Sequence, residues 1–253
     1  MFFEEVNGLK ILKSEIFSKF PELKFGFSTK QGGFSEGDFS NLNLSLSVED
    51  EEKNVLKNRN LFFSSLGIEQ SEVVLAGQVH EDKIVCPQNF GLQRECDGLV
   101  TNQANTFLTL TAADCYCIFF YEPVKKVVCG VHSGWRGTVA EISKKAVQKL
   151  VTEFGCERAE ILAFVTPGIS QENFEVGEEV AQNFEAKFIK RKSKPFVDLE
   201  KIIVRQLEET GIRTENIETS NFCTFGEREL FFSHRRDKGK TGRMFGVIGF
   251  VSD

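Results

Sequence analysis

Histidine, methionine, tryptophan and proline are scarce in this chain: 253 residues include three histidines, two methionines, one tryptophan and five prolines. Three imidazoles are too few for the coupled copper cluster of a multicopper oxidase. A blue-copper centre usually adds a weak axial methionine, and only Met1 and Met244 could supply one. Basic residues do not dominate, with 31 Lys and Arg against 37 Asp and Glu and a net charge of −6. General polyanion binding draws on clustered cations, so no nucleic-acid partner is expected, although local basic patches remain open. No stretch approaches the roughly 20 apolar residues of a membrane span, and Met1 to Glu15 is interrupted by Glu4, Glu5, Asn7 and Lys10. The expectation is a cytoplasmic protein with no membrane partner. Seven cysteines is an odd number without a CxxC pair, which together with a reducing compartment argues against a disulfide framework.

What is present suits a soluble globular protein, at 41% hydrophobic and 27% charged residues. Strand-like and helix-like segments alternate without a linker or an internal repeat, so we expect an α/β fold with mixed sheets flanked by helices, residues 1–253 forming a single domain. Strands are expected over Lys24–Thr29, Val73–Val79, Phe107–Thr111, Cys115–Tyr121, Lys126–Val131, Ile161–Val165 and Arg243–Val251. Helices are expected from Asp50 to Leu66, Thr138 to Phe154, Gly177 to Phe188 and Asp198 to Thr210. Gly67 and Gly155 mark the ends of the first two.

Chemistry-bearing residues gather where strands meet small-residue loops. His80 follows the run ending Gly-Gln-Val, Cys115 follows Thr-Ala-Ala-Asp, and His132 opens into Ser-Gly-Trp-Arg-Gly-Thr. Open α/β sheets present ligands at such junctions. Two imidazoles and a thiolate leave a fourth tetrahedral position open, the pattern of a catalytic zinc site rather than a closed structural one. Each residue also has a plainer reading, a hydrogen-bonded histidine or a small buried cysteine. Cys117, two residues beyond Cys115, is an alternative ligand if the strand is regular.

Several ordered strings carry a resemblance. Phe25-Gly26-Phe27-Ser28-Thr29-Lys30-Gln31-Gly32-Gly33, Asn41-Leu42-Asn43-Leu44, Asn58-Arg59 and Gln78-Val79-His80 come first. Cys96-Asp97-Gly98-Leu99-Val100-Thr101, Thr111-Ala112-Ala113-Asp114-Cys115 and Val131-His132-Ser133-Gly134-Trp135-Arg136-Gly137-Thr138 follow. Pro167-Gly168-Ile169, Glu175-Val176-Gly177, Cys223-Thr224, Phe232-Ser233-His234-Arg235-Arg236-Asp237 and Thr241-Gly242-Arg243 complete the set. Together they resemble the YfiH, or laccase-domain, family over nearly the whole chain. That resemblance implies a layered α/β fold related to toxin deamidases of the CNF type. It implies purine nucleoside phosphorylase activity on adenosine, inosine and S-methyl-5′-thioadenosine, with adenosine deaminase activity beside it. It also implies His80, Cys115 and His132 as zinc ligands.

Other readings stay open: a peptidoglycan-precursor editing amidase, a cysteine hydrolase with Cys115 as nucleophile and a histidine as base, or a copper polyphenol oxidase. The expected catalytic set is Cys115, His80, His132 and Asp114. Asp114 is either bonded to a ligand histidine or a turn cap, and Asp97 is either turn chemistry or an acid-base group. Arg59, Arg136, Lys30 and Asn43 are the expected substrate and phosphate contacts. Arg136 stands out, lying among glycines four residues after His132 and before a helix. Lys30 replaces the arginine of many relatives and offers a point charge instead of a planar fork. Arg235 and Arg236 read as phosphate contacts or as a solvated basic turn, and His234 as structural or exposed. Trp135 stacks on a purine or closes the core. The partners expected are a small nucleoside and phosphate, on a monomer or weak homo-oligomer.

Overall fold

A computed structural model describes residues 1–252. The first strands are β1 (Phe2–Val6), β2 (Leu9–Lys13) and β3 (Leu23–Ser28), followed by helix α1 (Glu52–Ser65). Next come β4 (Val73–Gly77), β5 (Ile84–Val85), β6 (Gly91–Arg94), β7 (Gly98–Thr101), β8 (Phe107–Ala112), β9 (Tyr116–Glu122) and β10 (Val127–Ser133). Helices α2 (Trp135–Val139) and α3 (Ile142–Phe154), β11 (Leu162–Val165) and α4 (Glu178–Ala181) follow. The chain closes with β12 (Ile189–Arg191), β13 (Pro195–Val197), α5 (Leu199–Glu209), β14 (Ile217–Thr219) and β15 (Met244–Phe250).

Two mixed sheets form the body. One runs β1-β2-β3-β15-β8-β4-β6 and the other β14-β11-β9-β10-β7-β5, while β12 and β13 pair separately. Most neighbours are antiparallel, but β4 is parallel to both β8 and β6.

Side-chain alternation explains the layering, because successive residues of a strand address opposite faces. On β9, Phe119 and Tyr121 join a cluster with Phe25, Leu108, Leu110 and Ile248 of the other sheet. Ile118 and Phe120 instead pack with Ile142 and Ala146 of α3 and Ile203 of α5. On β15, Phe245 and Val247 turn to Phe62 and Phe63 of α1. The stacking order is therefore α1, seven-stranded sheet, six-stranded sheet, then α3 with α5.

Glycines let the aromatic filling seat itself between the sheets. A Cβ at Gly246 of β15 would stand 2.5 Å from the Phe119 ring, and one at Gly130 of β10 would stand 3.0 Å from it. Phe25 meets Phe119 at 5.4 Å and 66° and Phe164 at 5.2 Å and 68°, both edge-to-face arrangements that suit ring quadrupoles.

The mixed α/β fold expected from the sequence is the one observed, with local differences. The expected helix Thr138–Phe154 is divided, because Glu141 turns left-handed at φ 57°. The Thr138 carbonyl accepts the Glu141 N–H at 3.1 Å in a tight turn and the Gln206 side-chain amide of α5 at 2.9 Å. The expected helix Gly177–Phe188 stops at Ala181, where Asn183 donates back to the carbonyls of Glu179 and Val180. The β1–β2 hairpin and the short strands β5, β6, β7 and β12 to β14 add to the strands expected.

Replacing Phe119 with Ala should cost about 3–5 kcal/mol of folding stability, since it empties a fully buried site that two glycines shape. Denaturant unfolding measures this; a loss under about 1 kcal/mol would mean the inter-sheet core does not depend on this ring.

Candidate metal centre and its cavity

Strands β4 and β8 lie side by side and parallel, so their carboxyl ends release two loops at the same edge. The loop after β4 carries His80, and the one after β8 carries Cys115. Strand β10 brings His132 from the other sheet. Donor atoms of His80, Cys115 and His132 all lie within 4.8 Å of one another. The two imidazole rings stand edge to face, with centroids 4.9 Å apart. His132 is buried, Cys115 half-buried and His80 exposed, so the centre is approached from the His80 side.

A single carboxylate assembles this set. Asp97, fully buried just before β7, accepts His132 Nδ1–H at 2.8 Å. It also accepts the backbone N–H groups of Val79 at 3.0 Å, His80 at 3.0 Å and Glu81 at 2.9 Å. His80 sits in the left-handed region at φ 64°, uncommon outside glycine, and these three bonds hold the turn there. An ionised carboxylate only accepts, so the His132 proton resides on Nδ1 and leaves Nε2 for the centre. The bond to a ligand histidine thus falls to Asp97 and not to Asp114. Asp114 accepts from Thr224 Oγ1 and the Arg235 backbone N–H, each at 2.7 Å, and ties two loops at the cavity wall.

Electrostatics follow from these contacts. Burial opposes ionisation of Cys115, but the charge and hydrogen bonds of His132 and His80 outweigh it and bring the thiol down to about 6. Burial likewise opposes the charging of His132, and the Cys115 thiolate and Asp97 raise it to about 9. Asp97 is held below the usual carboxylate range despite its burial, through His132 and the backbone donors of Glu81 and Val79. The two shifts reinforce each other and favour the thiolate of Cys115 beside a charged His132. Gly134 is required for space, since a Cβ there would stand 2.9 Å from Cys115 Sγ and 3.6 Å from the His80 ring. Cys117 is excluded as a ligand: it is fully buried in the inter-sheet cluster, and burial pushes its thiol well above the usual value.

These residues border a cavity of about 460 Å³. Arg59, Arg243, Ser45, Ser47 and Gln78 give it polar walls, and Leu75, Leu92, Ile169 and Phe174 give it apolar ones. Arg59 donates Nε to the Leu44 carbonyl at 2.7 Å and lies over the Phe245 ring. Arg243 bonds the carbonyls of Thr241 and Gly242. Neither guanidinium has a carboxylate partner among the described residues, and burial lowers both from their ordinary value.

Three expected substrate contacts lie elsewhere. Arg136 is exposed and stacks on Trp135 at 4.4 Å, because the short helix α2 begins at Trp135 and carries both residues off the cavity wall. Trp135 itself packs against the cluster of α3, α5 and the six-stranded sheet. Asn43 is fully buried and wholly engaged: its amide donates to Asp50 at 2.8 Å, and its carbonyl accepts the N–H groups of Ser45 and Arg243. Lys30 is fixed through its backbone to the Leu230 carbonyl and is not part of the cavity wall. Among expected cations Arg59 does line it, together with Arg235 and His234. Arg236 is turned inward to the carbonyls of Thr224 and Phe231. Arg243 and Gln78 were not expected, although each stands inside a string that carries the resemblance.

Comparison with known proteins bears on this arrangement. Residues 24–251 match the family model described as multi-copper polyphenol oxidoreductase laccase. The chain belongs to this laccase-domain family. Purine nucleoside phosphorylase YlmD of Bacillus subtilis is 35% identical to this laccase-domain chain, over 90% of it and 88% of the relative. A purine nucleoside phosphorylase of Deinococcus radiodurans is also 35% identical, over 88% and 87%. The crystal structure of YlmD from Geobacillus stearothermophilus superposes with a TM-score of 0.91 at 30% identity, covering 98% of both chains. The YfiH protein of Bacillus licheniformis gives 0.90 at 33% identity, again over 98% of both. No helix among the described residues is long and apolar enough to cross a membrane.

If the trio holds a metal ion, Asp97→Asn should lower its affinity by roughly 10- to 100-fold, the usual cost of losing the carboxylate behind a ligand histidine. Gly134→Ala should weaken binding in the same direction by crowding the thiol. Competition against a chromophoric chelator reads both, and wild-type affinity in both variants would contradict the geometry. In metal-free protein, alkylation of Cys115 by iodoacetamide should rise to half its maximal rate near pH 6, the thiolate being the reactive form. A midpoint above pH 8 would mean that the histidines do not lower the thiol.

Proposed function

We propose that this chain is a zinc-dependent purine nucleoside phosphorylase, cleaving adenosine, inosine and S-methyl-5′-thioadenosine with phosphate, and that the same cavity deaminates adenosine. The observation that carries the reading is the pairing, in one cavity, of an open His-Cys-His set with guanidinium groups, Arg59 and Arg243 among them, that lack carboxylate partners among the described residues. The names of its relatives, purine nucleoside phosphorylases, support the phosphorolysis.

His80, Cys115 and His132 fit zinc: one thiolate and two imidazoles, with Asp97 fixing the His132 tautomer. When bound, zinc would supply Lewis acidity toward a substrate atom in the cavity. Copper is less well served. Met244 is buried, and its thioether already accepts the Phe232 N–H at 3.2 Å, so it is engaged away from an axial position.

Phosphorolysis requires phosphate beneath the ribose C1′ and stabilisation of a cationic sugar as the base departs. Arg59 and Arg243 are assigned the phosphate, where their unpaired N–H groups make charge-assisted bonds. Ser45 and Ser47 add neutral donors beside them. Ile169 and Phe174 form the apolar surface for a purine. Asp114, fixed by Thr224 and Arg235, is placed where the cavity meets Cys115, and is assigned to proton movement at the departing or attacked base.

A second reading rests on the Cys115 thiol at about 6 beside His132 and Asp97, which is also the equipment of a cysteine hydrolase. Metal removal separates the two. A protein that loses activity with chelation and regains it with zinc is metal-dependent; one that keeps full activity until its thiol is alkylated is a hydrolase.

Purified protein with adenosine and phosphate should release adenine and ribose 1-phosphate, with release strictly dependent on phosphate. Arg243→Met should raise the KM for phosphate by about 10- to 100-fold, equivalent to losing roughly 1.5–3 kcal/mol of charge-assisted bonding, with the fold retained. Base release that ignores phosphate, or an Arg243→Met enzyme with unchanged phosphate KM, would contradict the assignment.

A further inference from the structure

Strands β4 and β8 pair only briefly. Their register runs Val73 with Phe107, Val74 with Leu108 and Leu75 with Thr109, and then stops. Beyond that point each strand follows its other neighbour. Strand β4 continues along β6, pairing Ala76 with Gln93 and Gly77 with Arg94. Strand β8 continues along β15, pairing Thr111 with Phe245 and Ala112 with Met244. The sheet therefore splits, and the cavity borders both lips: Ala76, Gly77 and Gln78 on one side, Thr111, Ala112 and Ala113 on the other.

One side chain spans the split. Gln78 accepts the Thr111 N–H at 2.7 Å and the Thr111 hydroxyl at 3.0 Å through Oε1, and donates Nε2 to the Thr111 carbonyl at 2.9 Å. Its amide thus replaces the peptide that β4 would have offered at this rung, satisfying both backbone groups of Thr111. His80 lies two residues beyond Gln78, and Cys115 four beyond Thr111. The brace joins the two strands just before one leads to His80 and the other to Cys115.

We propose that Gln78 is a positioning residue: its side-chain amide fixes the separation of the His80 and Cys115 loops and so sets the affinity and geometry of the metal centre. This rests on the metal reading above. Asp97 orients His80 relative to His132, across the sheets, whereas Gln78 sets His80 relative to Cys115 within one sheet.

Cobalt(II) titration of metal-free protein tests the role without recourse to catalysis, because cobalt bound to thiolate and imidazole reports its geometry in visible absorption. Gln78→Met, close in size but without the amide, should bind cobalt about 10-fold more weakly or worse, with a shifted ligand-field band. Thr111→Val removes one of the three bonds and leaves the two backbone ones, so its loss should be smaller. This milder variant carries the test if Gln78→Met does not fold. Unfolding midpoints of the metal-free proteins supply the control. A variant with a lowered midpoint but wild-type cobalt affinity and spectrum would reduce Gln78 to a purely structural residue and overturn the proposal. Thr111→Val changing the spectrum in a stably folded protein supports it. A wild-type protein that takes up no cobalt overturns the metal reading itself, a failure distinct from that of Gln78.

Discussion

A buried carboxylate with four donors around it is the constraint on which the centre depends. Asp97 has no solvent to stabilise its charge, so its position is dictated by the His132 imidazole and the N–H groups of Val79, His80 and Glu81. Three of those donors lie in the loop that follows β4 of one sheet, and the fourth lies on β10 of the other. The carboxylate therefore closes the loop after β4 against the end of β10, and in one stroke places a left-handed His80 beside a tautomer-fixed His132. The backbone adds to this, since His132 N–H donates to the Asp97 carbonyl at 2.7 Å. Cys115 then completes a set whose charges support one another, the thiolate lowered by the histidines and His132 raised by the thiolate and Asp97.

The fold supplies the edge at which this happens. Aromatic rings seated against glycines hold the two sheets face to face, and a parallel pair within the first sheet ends where they meet. Parallel strands release their loops at one edge, and the divergence of β4 from β8 opens a cavity there without breaking the core. Arg59 reaches the cavity from α1 and Arg243 from the residue before β15. Cations thus come from two elements that the outer apolar layer already fixes. Arg59, Arg243 and the His-Cys-His set thus border one cavity.

Much of this was legible in the sequence, and the gaps have physical causes. The apolar runs that become β3, β4, β8, β9, β10 and β15 are long and buried, so their pattern is strong, and the placing of His80, Cys115 and His132 where such runs meet loops follows from it. Short or exposed strands such as β5 and β6 leave little pattern, because their stability comes from neighbours rather than from their own apolar content. At the break between α2 and α3 the Thr138 carbonyl is bonded by Gln206, more than sixty residues away, a contact that no local window contains. Arg136 drew attention through its closeness to His132 in sequence, yet the turn into α2 lays it on Trp135 at the surface. Arg243, distant in sequence, reaches the cavity through sheet pairing. For a similar reason the bond to His132 comes from Asp97 and not from Asp114, which adjoins Cys115 along the chain: the register of β7 against β10 brings Asp97 to His132, and Asp114 ties two loops as a turn residue would.

Zinc K-edge X-ray absorption on the purified protein tests the central claim most directly, because it counts ligands without reference to turnover. The account predicts stoichiometric zinc with one sulfur at about 2.3 Å, two imidazole nitrogens at about 2.0 Å and one further light-atom ligand. The sulfur should vanish from the spectrum of Cys115→Ser. Two or more sulfurs, a shell without sulfur, or stoichiometric copper in place of zinc would contradict it.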